Sequence, residues 1–167
     1  MNEEKTKYLV QNIDTPDSLY SHIIGEPIEL VDDFVYLGSK IRDTEGDINA
    51  RKGKAWGPGA CHSLRKIWKS DLQHSIKIRI FTALVESVFL YGSETWTMTK
   101  RLNKMVDGCY TRMLRMALDV NQYTQRITNS KLYGALPKLS SKIAQRRLRL
   151  SGHAHRHPEL TLNKMLF

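Results

Sequence analysis

A chain of 167 residues, 41% of them hydrophobic and 26% charged, is long enough for one domain with a core, or for a small domain plus an extension. No apolar run approaches the roughly 18–20 residues that span a bilayer, and the acidic, polar start MNEEKTKYLV lacks the basic-then-apolar pattern of a signal peptide. The net charge of +9 divides unevenly: residues 1–50 carry 4 Lys+Arg against 11 Asp+Glu, and residues 51–167 carry 22 against 6.

In chain order, Tyr8-Leu9-Val10 predicts a short strand and the polar stretch 12–17 a loop. His22-Ile23-Ile24 and Ile28-Glu29-Leu30-Val31, joined by Gly25-Glu26-Pro27, predict a hairpin with a Gly/Pro turn. Phe34-Val35-Tyr36-Leu37 predicts another strand, ended by Gly38. Between the last two strands stand Asp32 and Asp33, an adjacent carboxylate pair that invites a two-metal reading. Such a site needs carboxylates from separate strands clamping ions about 4 Å apart, and strand alternation sends two neighbours to opposite faces. Asp32-Asp33 is therefore read as a polar turn, for which aspartate is well suited. No catalytic residue is assigned.

The pattern then turns helical. Asp47 predicts an N-cap for a helix through Lys54 and Trp56, which Gly57-Pro58-Gly59 should break; a further stretch resumes through Leu64, Ile67 and Trp68. Over 74–91, Ile76, Ile80, Leu84, Val88 and Tyr91 recur at helical spacing, flanked by Phe81, Val85 and Phe89. That width predicts a central helix with Lys77, Arg79 and Glu86 on its exposed edge. Residues 100–118 place Leu102, Met105, Val106, Cys109, Met113, Leu114 and Ala117 on one face, leaving Arg101, Lys104, Arg112 and Arg115 to the remainder. Thr128 opens a short helix ending near Gly134, and a last helix over 139–152 carries Leu139, Ile143 and Leu150, with a tail from His153 predicted to fray. The fold class that follows is α+β, mainly α: a small N-terminal antiparallel β-hairpin region over about 6–41, then a bundle of four or five helices.

The charge asymmetry predicts a polyanionic partner, RNA or DNA, reached through residues 51–156. Arg146, Arg147 and Arg149, extended by Lys142 and Arg156, form one candidate group; Lys52, Lys54, Arg65, Lys66 and Lys69 form another. A solvated basic surface is the alternative. Trp56, Trp68 and Trp96 could stack on bases, but beside leucines and isoleucines they read as packing. His153, His155 and His157 would share one side of an extended segment; zinc would want further ligands or a rigid frame, so no metal is assigned. Cys61 and Cys109, distant in sequence and without a CxxC pair, predict structural thiols in a reducing compartment, nuclear or cytoplasmic. No membrane partner is expected, since no basic amphipathic helix carries an aromatic insertion face.

NEEKTKYL at 2–9, FVYLGSKI at 34–41, LRKIWKS at 64–70, VFLYGSETWTMTKRLNK at 88–104 and RRLRLSGHAHR at 146–156, in this order, resemble the C-terminal part of reverse transcriptases from non-LTR (LINE-type) retrotransposons. LYGSETW at 90–96 is the most specific of them. The resemblance implies a palm-end and primer-grip segment over 1–45, a thumb-like helical bundle over 46–120, and a basic post-thumb extension with its tail over 121–167. It places Lys5 near the incoming triphosphate, and Tyr36, Leu37 and Gly38 in the primer grip. In the family the catalytic aromatic-x-Asp-Asp pair precedes the KTK segment, whereas Asp32-Asp33 follows it and has Leu30 at the aromatic position. The palm carboxylates and fingers would lie upstream. The expectation is a truncated fragment, not an enzyme on its own, that retains template–primer binding; it needs no cofactor, magnesium belonging to the intact polymerase. Gly57-Pro58-Gly59 departs from the family, which has a continuous helix there. The alternatives are a stand-alone basic helical module binding nucleic acid or proteins, or a non-functional relic.

Overall fold

The structure, a computed structural model, describes residues 43–57, 60–121 and 125–157, together with the segments 7–8, 22–23, 26–27, 29–31, 34–36 and 38–41. The chain forms two compact units, Met1–Thr44 and Glu45–Phe167, and the described residues are mainly helical.

In the first unit, β1 (Lys7–Tyr8), β2 (His22–Ile23), β3 (Glu26–Pro27), β4 (Glu29–Leu30), β5 (Phe34–Tyr36) and β6 (Ser39–Ile41) form three two-stranded pairs. β2–β3 and β5–β6 are antiparallel, in keeping with the antiparallel region expected, though Ser39–Ile41 was not read as a strand, and β1–β4 is parallel. The first hairpin is also tighter than predicted: Glu26–Pro27, read as its turn, is its return strand, and Glu29–Leu30 pairs with Lys7–Tyr8 instead. In β5–β6, Tyr36 stands opposite Ser39, and Gly38 at φ 81° supplies the left-handed backbone a two-residue hairpin requires. Lys5, Asp32, Asp33 and Leu37 lie outside the described residues.

The second unit holds α1 (Thr44–Trp56) from its second residue on, then α2 (Arg65–Trp68), α3 (His74–Phe81), a π turn (Thr82–Glu86), α4 (Ser87–Phe89), a 3-10 turn (Ser93–Thr95), α5 (Lys100–Ala117), α6 (Asn129–Tyr133) and α7 (Leu139–Arg156). α3 and α7 both pack on α5, around a core that includes Trp68, Phe81, Val85, Phe89, Trp96 and Val106. None of these helices is long and apolar enough to cross a membrane.

Asp47 is not the N-cap of α1. The helix starts at Thr44, and Asp47 lies buried in its first turn, where Oδ2 accepts the Trp96 Nε1–H at 2.8 Å. At the other end α1 stops at Trp56, before the predicted breaker. Gly57 donates to the Gly53 carbonyl at 2.8 Å, and Cys61 N–H returns to Ala55 O at 2.9 Å. A Cβ on Gly57 would sit 2.9 Å from Gly53 O, so this turn requires glycine.

The central rod from α3 to α4 reverses part of its predicted facing. Ile76, Leu84 and Tyr91 are 40%, 49% and 51% exposed, whereas Lys77 and Glu86, assigned to the edge, are 5% and 6% exposed. The inward set is Lys77, Phe81, Val85 and Phe89, at every fourth position. An α-helix of 3.6 residues per turn drifts away from that spacing; the wider π turn at Thr82–Glu86 takes up the difference and rotates Glu86 inward. Buried Lys77 Nζ donates to Trp68 O at 2.7 Å, at the C-terminus of α2, where a cation is favourable.

α5 buries the predicted Leu102, Val106, Cys109, Met113, Leu114 and Ala117, and Thr99 caps it by accepting the Leu102 N–H. Arg115, expected on the outer face, is buried instead: its Nη2 donates to Ile127 O at 2.7 Å and Asn129 Oδ1 at 2.8 Å. Thr128 caps α6, and Gly134 follows at φ 52°, both as expected. α7 runs on to Arg156, so His153–Arg156 form a helical last turn where fraying was predicted, and Ala154 makes the inner contact while Leu150 stays exposed.

Candidate nucleic-acid interface

α7 is held by three acids from neighbouring elements. Asp107 of α5 accepts the Ser140 N–H and Oγ–H, both at 2.8 Å, satisfying a donor in the first turn of α7. Glu86 Oε2 accepts the Lys142 ammonium at 2.6 Å and the Tyr110 hydroxyl at 2.6 Å, and Lys142 lies over the Tyr110 ring. Burial first, then donation to anionic Glu86, push the Tyr110 hydroxyl well above the ordinary phenol range. Arg146 Nη1 donates to Leu90 O at 3.0 Å and Glu94 Oε1 at 3.2 Å. Lys142 and Arg146, read from the sequence as phosphate contacts, turn toward acids and carbonyls of the bundle, Lys142 largely buried and Arg146 half-exposed. Arg147 and Arg149 face outward and are exposed, because residues this close in sequence cannot share one helical face.

The LYGSETW segment is what these contacts converge on. Leu90 O and Glu94 hold Arg146, Gly92 takes φ 72°, Thr95 Oγ1 donates to Gly92 O at 2.9 Å, and Trp96 donates to Asp47 of α1. Arg51 stacks its guanidinium over Tyr91, 4.3 Å from the ring centre. The most specific motif of the chain is a clamp between α1 and α7.

The second basic group surrounds Trp56. Lys54, Arg65, Lys66 and Lys69 are exposed, and half-buried Lys52 donates to Asn49 Oδ1 at 2.8 Å. Trp68 and Trp96 are buried with their indole N–H groups tied to Cys61 O and Asp47, so they do not present a face to a base. Trp56 is half-buried, with its ring edge-on to His62 at 6.1 Å. It borders two clefts. One of about 300 Å³ is lined by Lys52, Gly53, Gly57, Cys109 and Arg112. Another of about 450 Å³ has Arg65, Lys69, Arg115 and His62 among its walls and Asp119 as its carboxylate. Sequence reasoning missed Arg112 and Gly53 as members; a lone glycine inside a helical pattern was the available signal.

Of the remaining candidates, Tyr36 lies in β5 and Gly38 at the hairpin turn, in the other unit. The histidines do not line up as HxHxH in an extended segment. α7 brings the His153 and His157 rings to 4.6 Å and leaves His155 aside, since i and i+4 share a helical face. Among the described residues no group of three or more His, Cys, Asp or Glu could hold a metal ion. Both cysteines are buried. Burial pushes the Cys61 thiol to about 12, with the Cys109 charge adding and the Trp68 contact opposing. Cys109 is raised by burial against the pull of Arg112 and Lys52. At the surface, Arg101 grips Glu45 and holds its carboxyl below the usual range.

Comparison with known protein families, curated proteins and solved structures finds no match to this chain.

Proposed function

We propose that the chain is the primer-grip and thumb portion of a non-LTR-type reverse transcriptase, and that its helical unit holds RNA or DNA by the phosphates without polymerising by itself. The observation that carries this reading is the segregation of charge. Glu86 and Asp47 are buried and Glu94 and Asp107 half-buried in contacts within the helical unit, while Lys54, Arg65, Lys66, Lys69, Arg112, Arg147 and Arg149 are exposed and outnumber the exposed Asp71 and Asp119. The five ordered segments supply the polymerase side of the reading, and the primer-grip-like Phe34–Tyr36 strand forms a hairpin suited to it.

Phosphate contact makes a specific demand on binding data. Each neutralised phosphate releases counterions, so log affinity falls linearly with log salt at about 0.9 per contact on duplex DNA. Fluorescence anisotropy with a labelled RNA–DNA hybrid, run from about 50 to about 200 mM salt, should show that decline. Lys66→Glu with Lys69→Glu should reduce the slope by about two. Binding absent at low salt, or insensitive to salt, removes the reading. Equal affinity for heparin and hybrid moves the assignment to a general basic module. In a primer-extension assay the chain should synthesise nothing above background.

A further inference from the structure

Gly53 lies within α1, where glycine is the least favourable residue after proline. Its helical backbone does not need glycine, and nothing lies within 4 Å of the point where a Cβ would stand. Packing therefore gives no reason for it, in contrast to Gly57. What a side chain at 53 would enter is the cleft of about 300 Å³ beside Trp56. Among the described residues no carboxylate lines that cleft, and its charged walls are Lys52 and Arg112. Both cations lie near enough to Cys109, another wall of the cleft, to pull its thiol downward against its burial. Asn49 occupies one of the three Lys52 ammonium donors.

The volume suits a single small group. It is too small for a duplex, whose bases present no free face without unstacking. A half-buried tryptophan and two cations lining one cleft are the combination that single strands use: an aromatic platform for a base and a basic track for its phosphate.

We propose that this cleft seats one unpaired nucleotide of a single strand, its base against the Trp56 ring and its phosphate between Lys52 and Arg112, and that Gly53 is bare so that the nucleotide can approach the helix. The proposal rests on the nucleic-acid reading above and sharpens it to a single-stranded segment beside whatever duplex the basic surface holds.

The test uses the full chain and two probes, a single-stranded oligothymidylate and a blunt duplex. Oligothymidylate should quench the tryptophan emission, the quench should vanish in Trp56→Phe, and Trp56→Ala should weaken single-strand binding roughly 5- to 150-fold. Gly53→Ala should raise the melting temperature by a few degrees yet weaken single-strand binding several-fold. Gly53→Leu should nearly abolish it with duplex affinity unchanged. The opposite signs in Gly53→Ala separate a ligand seat from a structural glycine, and this variant keeps the test intact if Gly53→Leu folds poorly. Single-strand affinity and quench in folded Gly53→Ala equal to wild type would overturn the proposal. A wild-type chain that binds duplex with salt dependence but not the single strand overturns this inference alone; one that binds neither overturns the nucleic-acid reading as well.

Discussion

Replacing Lys142 by methionine separates the two roles that this residue could have. Its ammonium lies 2.6 Å from Glu86 Oε2, and the two side chains are only 16% and 7% exposed. Methionine keeps the length of the stem but removes the charge. Glu86 then stays buried as a carboxylate with the Tyr110 hydroxyl as its strongest remaining donor. Breaking a buried pair from one side costs about 3–5 kcal/mol; the residual exposure of Lys142 puts the expected loss at the lower end, about 3 kcal/mol. With a urea m-value on the order of 1.5 kcal/mol per M, the unfolding midpoint should drop by about 2 M. Adding Glu86→Gln should restore much of this, because the orphaned charge is gone, and a double-mutant cycle should give a coupling of about 2 kcal/mol. Urea denaturation followed by circular dichroism measures all three variants. A midpoint that moves by less than the equivalent of about 0.5 kcal/mol, together with a loss of nucleic-acid affinity, would refute the buried pair and return Lys142 to the phosphate-binding surface.

Further outcomes follow from the same structure. Gly92→Ala forces a Cβ into a left-handed residue at φ 72° and should cost about 1–2 kcal/mol, read as a lowered melting temperature. Trp96→Phe leaves buried Asp47 without its 2.8 Å indole donor and should cost about 1–3 kcal/mol or more in the same assay. The raised thiols give a pH dependence whose sign is fixed: the unfolded chain ionises them near their ordinary value, the folded chain holds Cys61 neutral to about 12, so stability is full below about pH 8.5 and declines as pH rises toward 12. Cys61→Ala should flatten that decline. Native thiols should also react slowly with iodoacetamide at pH 8 and quickly in denaturant; fast labelling of the folded chain would contradict their burial.

Much of the helical unit was legible because burial on a single face leaves a strong period. α5 is the clearest example: its apolar positions, its end near residue 118 and its neighbour capped by Thr128 all match expectation. The central rod was misread for a physical reason. Apolar residues surround it on most sides, so periodicity alone could not choose which stripe faces inward, and the π turn that fixes the choice has no sequence signature in that window. Polar residues were misassigned for a related reason. Lys77, Glu86, Arg115, Lys142 and Arg146 are charged, and solution chemistry puts charge outside; each is inside or half-inside because a particular partner meets it there. Such pairs join residues up to 56 positions apart, and no local window contains both members. Of the β segments, β3 and β6 were not legible as strands and the pairing of the others was not legible either, since strands of two or three residues carry too little alternation to specify register.

The candidate site shows where a motif and a function part company. LYGSETW is the most distinctive stretch of the chain, yet its backbone carbonyl, its glycine, its glutamate and its tryptophan are all spent on joining α1 to α7. The basic run of α7 divides in the same way: Arg146 belongs to the clamp, while Arg147 and Arg149 point out. An arginine-rich helix therefore cannot be counted as so many phosphate contacts; only the outward members add to a salt slope. The inward ones set something different. Lys142 draws Glu86 into the bundle and Arg146 pairs half-exposed Glu94, so two carboxylates that would otherwise offset the exposed cations are neutralised. Under the proposed function, the contribution of Lys142 and Arg146 to holding a polyanion is indirect, through the field they leave unopposed. Hence the Glu86→Gln and Lys142→Met double variant, refolded to near wild-type stability, should keep the salt slope of the native chain, whereas Arg147→Gln with Arg149→Gln should reduce it by about two without lowering the melting temperature. Equal slopes in both variants would mean that the outer face of α7 is solvated surface and that phosphate contact is confined to the Trp56 side.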